Sequence, residues 1–160
     1  MRNTLIVLTV LGASLIAASI SMLVLPIQPA LNTGGGVVGK ANVTFILYAG
    51  EPNTSTYAFG SKPGNLTSPG PTLSFHVADV VNVTVVDVGI MPHAFVVTDV
   101  PNTNAKTLFG AVIASGSLPL NPGERGSVVF KADSVGTYYY ICPVPGHVQL
   151  GMWGKIVVVP

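Results

Sequence analysis

From residue 41 to the C-terminus the chain is written in short runs of alternating apolar and polar residues, cut by proline and glycine. The runs are 42–49 (NVTFILYA), 72–77 (TLSFHV), 80–87 (VVNVTVVD), 93–99 (HAFVVTD), 126–131 (GSVVFK), 137–142 (TYYYIC) and 152–159 (MWGKIVVV), with a short one near 109–114. Turn signals such as SKPGN, SPGP, NPGE and SVG separate them. A repeat of two residues puts alternate side chains on opposite faces of a strand, so such runs cannot form amphipathic helices. Seven or more short strands punctuated this way predict an antiparallel sandwich or barrel. Residues 101–119 read as an excursion between strands.

The N-terminus obeys a different rule. Residues 4–25 carry no charge, and 22 residues at 1.5 Å each would span roughly 33 Å as a helix, enough for a hydrocarbon core of about 30 Å. The segment 1–26 is expected to be a membrane anchor, because the apolar run continues to Leu25 and Pro26 ends it. A cleaved signal peptide, using the small residues Ala17-Ala18-Ser19, is the competing reading. Arg2 is the nearby positive charge in either case, so it stays inside and the rest is exported. Residues 27–40, with two prolines and three consecutive glycines among 26–40, read as a flexible linker, leaving 41–160 as one domain. Four N-x-S/T sequons, at Asn42, Asn53, Asn65 and Asn82, are compatible with export and arise equally well by chance in a Thr- and Asn-rich β-protein.

Charge excludes one class of partner. Seven Lys/Arg against six Asp/Glu leave no basic field for nucleic acid. The single cysteine excludes a disulfide framework and any zinc site built from paired cysteines.

That cysteine carries the chemistry. Cys142 lies five residues before His147 and ten before Met152. Strand alternation puts Met152 in phase with Ile156 and Val158, Cys142 in phase with Tyr138 and Tyr140, and His93 in phase with Phe95 and Val97, all core-like sets. Each residue alone has a duller reading: a buried Cys is usually a small hydrophobe and a Met usually fills a core. Together, two imidazoles, a thiolate and a weak thioether are the ligand set of a blue-copper electron-transfer site. Zinc would suit Cys and two His as well. His76 has no partner in sequence and reads as a surface residue.

The stretch GTYYYICPVPGHVQLGMWGKIVVV resembles the C-terminal copper loop of the rusticyanins, and CPVPGHVQLGMW resembles that of the sulfocyanins. The segment PTLSFHVADVVNVTVVDVGIMPHAFVV is similar in layout to the strand, turn and first histidine of the same family. The resemblance implies a Greek-key antiparallel β-sandwich of the cupredoxin kind, one type 1 copper ion, His93, Cys142 and His147 as strong ligands, and Met152 as the axial one. It also implies an electron carrier rather than an enzyme, anchored outside a cell membrane. The partners expected are redox proteins of a respiratory chain, docking on an apolar patch around the exposed edge of His147, with no nucleic acid and no small-molecule substrate. Copper storage or delivery is the alternative. At position 94, where the family commonly has Asn or Ser tying the ligand loops together, this chain has Ala94, which leaves that tie in question.

Overall fold

The computed structural model describes residues 39–160. The expected anchor and nearly all of the expected linker therefore lie outside the described residues. Ten strands follow in order: β1 Val43–Asn53, β2 Thr56–Lys62, β3 Asn65–Thr67, β4 Gly70–His76, β5 Val80–Asp87, β6 Phe95–Thr98, β7 Thr107–Ile113, β8 Arg125–Lys131, β9 Gly136–Ile141 and β10 Trp153–Val159. No helix occurs among the described residues. Two five-stranded sheets, β3-β2-β1-β5-β8 and β4-β10-β9-β6-β7, face each other across one core.

The alternation read from the sequence sets which side chains fill that core. On β5, Val81, Val83, Val85 and Asp87 are buried and their neighbours are not. On β10 the buried set is Gly154, Ile156 and Val158, continuing the inward row that begins at Met152. Lys155 faces out as expected. On the outer face of the first sheet, the hydroxyls of Thr84 and Ser127, paired across β5 and β8, lie 2.8 Å apart.

The expectation of a wholly antiparallel sandwich needs correcting. β1 runs parallel to β5, from Val43 opposite Val81 to Ala49 opposite Asp87, and β10 runs parallel to β4. Parallel neighbours need a long connection rather than a hairpin. Here the chain leaves β1, forms β2 and β3, crosses to the second sheet as β4 and only then returns as β5. Period-2 alternation looks the same in both directions, so the sequence pattern could not reveal it.

Strands β2 and β3 are also new. Pro52, Gly60 and the SKPGN turn interrupt the apolar pattern of 50–67, yet the chain there forms two hairpin connections. β2 carries Phe59, which is fully buried edge-on to Tyr140 (centroids 5.2 Å) and Phe95 (6.3 Å). Tyr140 donates its hydroxyl to the Pro71 carbonyl at 2.6 Å, giving this buried phenol the partner it needs. Burial pushes its ionisation up. Gly154, opposite Tyr140 on β10, leaves the ring its space, since a Cβ there would collide with it.

Candidate metal centre

The site forms at one end of the sandwich, where β9 and β10 are joined by residues 142–152. The Cys142 N–H donates to the Met152 carbonyl (3.1 Å), and the Met152 N–H donates to the His147 carbonyl (2.9 Å). His147 N–H in turn donates to Val144 O at 3.1 Å, so the loop is closed on its own backbone. Gly146 sits at φ +87°, a left-handed conformation that a side chain would strain. His93 enters from the other direction, just before β6. Its backbone exchanges two hydrogen bonds with Leu120, at 3.0 and 2.7 Å.

These two backbones bring three donor atoms together. The Nδ1 atoms of His93 and His147 are 3.2 Å apart, and Cys142 Sγ lies 3.4 Å from His147 Nδ1. All three ligand atoms fall within 4.8 Å of one another. Bonds of about 2.0–2.3 Å from one ion, the range for imidazole nitrogen and thiolate, can span donors this close. Met152 is buried in the same core cluster as Cys142. The four residues are arranged like a type 1 copper site. His76 stands apart from them, its side chain 70% exposed at the end of β4.

The donor set fits a soft or borderline cation. Burial pushes the Cys142 thiol up to about 11, opposed by the Ala94 N–H that points at its sulfur from 3.4 Å. Burial, and then the neighbouring His93, holds His147 down at about 4. A metal must therefore displace a proton from the cysteine, while the His147 imidazole is already neutral and ready to coordinate.

These shifts give the metal-free domain a two-sided pH profile. His147 has its folded value below its unfolded one, so the unfolded chain binds the extra proton. Stability should then fall as pH drops from about 6.5 through about 4. Cys142 has its folded value raised, so the unfolded chain loses its proton first and stability should fall again from about 9 through about 11. Denaturant midpoints of the metal-free protein across this range check both limbs. An acidic limb that is unchanged in His147→Gln would refute the His147 assignment.

Three features of the site are not in the sequence motif. His147 is only 4% exposed, because Tyr57 of β2 stacks on its ring at 3.9 Å and 8°. The exposed edge expected for His147 is thus covered. Glu51, at the end of β1, reaches His93 Nε2 at 2.9 Å. Ala94 is fully buried, so a larger polar side chain has no open space there, and the bracing of the site falls to Glu51, Tyr57 and the Ala94 N–H. Glu51 and Tyr57 come from the hairpin that the sequence pattern did not disclose, 42 residues from His93 in the case of Glu51. No local spacing could have found them.

Comparisons with known proteins agree with this geometry. The sequence profile of copper binding proteins of the plastocyanin/azurin family matches residues 70–159. The copper-containing nitrite reductase of Alcaligenes xylosoxydans is 35% identical over 102 residues, covering 60% of this chain and 28% of that protein. Rusticyanin of Acidithiobacillus ferrooxidans is 64% identical over 25 residues, 16% of this chain and 13% of its own. Auracyanin-B of Chloroflexus aurantiacus is 54% identical over 41 residues, covering 26% of this chain and 17% of that protein. A solved structure of auracyanin B superposes with a TM-score of 0.55 at 25% identity, covering 80% of this chain and 97% of that one. The chain thus spans little more than a quarter of the nitrite reductase and smaller shares of the other two curated relatives. With the profile matching more than half of its residues and the donors placed as described, the chain belongs to the plastocyanin/azurin family of copper-binding proteins.

Proposed function

We propose that the protein is a one-electron carrier with a single type 1 copper ion, held by His93, Cys142 and His147 with Met152 as a weak axial donor. The observation that carries this reading is the convergence of two imidazole nitrogens and one thiol sulfur in a buried site beside a buried methionine. When bound, copper supplies a Cu(I)/Cu(II) couple. The chain's part is to exclude water and to hold a mixed sulfur and nitrogen donor set that suits both oxidation states. A closed backbone loop limits how far the donors move on electron transfer.

Burial argues against copper storage or delivery, which calls for an exchangeable and therefore accessible site. The nitrite reductase likeness raises an enzymatic reading. Among the described residues, however, a single cluster of metal-binding side chains is present, and His76 is exposed and apart from it. The uncharged segment 4–25 supports a place on the outer face of a cell membrane, with respiratory redox proteins as partners. The test of function is reversible reduction: the copper-loaded protein should bleach with one electron and recover its colour on oxidation.

The docking surface follows from what covers the site. Of the apolar residues beside His147 on its loop, Val148 is buried and Val144 packs against the core, while Leu150 and Pro145 are exposed. The Tyr57 backbone N–H donates to the Leu150 carbonyl, and the exposed Ile90 and Met91 stand beside Glu51, which accepts their N–H groups. The contact patch is therefore Leu150, Ile90 and Met91 around Tyr57. An exposed apolar patch of this kind suits brief docking. Leu150→Asp should slow electron exchange with a redox partner several-fold and leave the visible spectrum unchanged. Stopped-flow mixing checks it, and equal rates would place docking elsewhere.

A further inference from the structure

We propose that Glu51 is the positioning residue for His93: its carboxylate holds the imidazole with the proton on Nε2 and leaves Nδ1 bare toward Cys142 and His147. The inference rests on the copper reading only for its effect on the metal. The orientation itself is a property of the chain.

Glu51 extends the inward row of β1, after Leu47 and Ala49, past the end of the core. There a register irregularity between Gly50 and Asn53 bends the strand. The Glu51 side chain is only 13% exposed, and a charge so little exposed is tolerated only if its oxygens are bonded. Oε2 accepts the Ile90 N–H at 2.9 Å, and Oε1 accepts the Met91 N–H at 3.2 Å. The remaining contact is Oε1 to His93 Nε2, at 2.9 Å. One carboxylate thus fixes both the irregular segment leading into His93 and the ring of His93. Gly89 makes this possible, because a Cβ there would press on Oε2 and on the carboxyl carbon.

The tautomer follows from the donor inventory. An ionised carboxylate only accepts, so Nε2 carries the hydrogen, and in the neutral ring that tautomer leaves the Nδ1 lone pair free. That lone pair faces His147 Nδ1 at 3.2 Å, within the three-donor cluster. A partner on the distal nitrogen both orients a ligating imidazole and raises its basicity. Among the described residues, no Lys or Arg lies within ion-pair distance of Glu51, so its negative charge is felt at the site and favours Cu(II) over Cu(I).

The test uses the full chain, at one fixed near-neutral pH. In the metal-free protein, nitrogen NMR of labelled histidine should show His93 protonated on Nε2, with that proton exchanging slowly. Glu51→Gln should keep the tautomer, since its amide oxygen still accepts. Glu51→Leu should mix the tautomers and speed proton exchange at least tenfold. In the copper-loaded protein, Glu51→Gln should keep the visible spectrum while raising the reduction potential, and Glu51→Leu should lose about 10–100-fold in copper affinity. If Glu51→Leu does not fold, the Gln variant still decides through its potential. His93 protonated on Nδ1 in the metal-free wild type, or a Gln variant with an unchanged or lower potential, would overturn the proposal. A wild-type chain that binds no copper would count against the copper reading alone, since the tautomer measurement involves no metal.

Discussion

Cys142→Ser is expected to abolish the blue absorption of the copper-loaded protein and to weaken copper binding more than loss of any other single donor. The colour and the affinity for Cu(I) both come from the soft thiolate, and a hydroxyl is a hard ligand that stays protonated. The fold should survive. Cys142 is fully buried behind Ala94, and the smaller Ser side chain fits the same space. The Ala94 N–H that points at the sulfur can point at the hydroxyl oxygen, so the cost in stability should be about 1–3 kcal/mol, as for a polar group buried with partial compensation. Visible spectra after copper addition and thermal unfolding of the metal-free variant check the two halves separately. A variant that stays blue would remove Cys142 from the site.

Phe59→Ala should produce the largest loss of stability of any single change in the core. The side chain is fully buried and lies edge-on to both Tyr140 and Phe95, which belong to the opposite sheet. Deleting it leaves a cavity between the sheets, at a cost of about 3–5 kcal/mol. That is a large share of the roughly 5–15 kcal/mol that holds a domain folded. The loss should reach the metal centre as well, because Tyr57, two residues earlier on β2, covers His147. Denaturant unfolding of the metal-free protein measures the cost. A change below about 1 kcal/mol would mean that the aromatic cluster reforms without Phe59.

Phe59 also shows where sequence pattern runs out. Strands β5, β8 and β10 were legible because each buries one face more than the other, and the alternation records it. In β2 the consecutive middle residues Ala58, Phe59 and Gly60 are all buried, so no alternation survives. β1 runs past residue 49 through Glu51 and Pro52, residues that strand propensity counts against. The parallel pairings left no local trace, because direction is set by connections through the other sheet.

The candidate site divides in the same way. Cys142, His147 and Met152 share one loop, so their spacing was visible, and His93 was marked by its core-facing phase before β6. Glu51 and Tyr57 touch the histidines only because β1 and β2 fold over the end of the sandwich. Such contacts depend on the tertiary path of the chain. The same hairpin explains why His147, expected at the surface, is 4% exposed.

The most direct test of the copper reading is an optical titration of the metal-free, full-length chain with Cu(II). An intense visible band should grow linearly, saturate at one copper per chain and bleach reversibly on one-electron reduction. A protein that takes up copper without colour, or whose band fails to saturate at one equivalent, would contradict a type 1 centre at His93, Cys142, His147 and Met152.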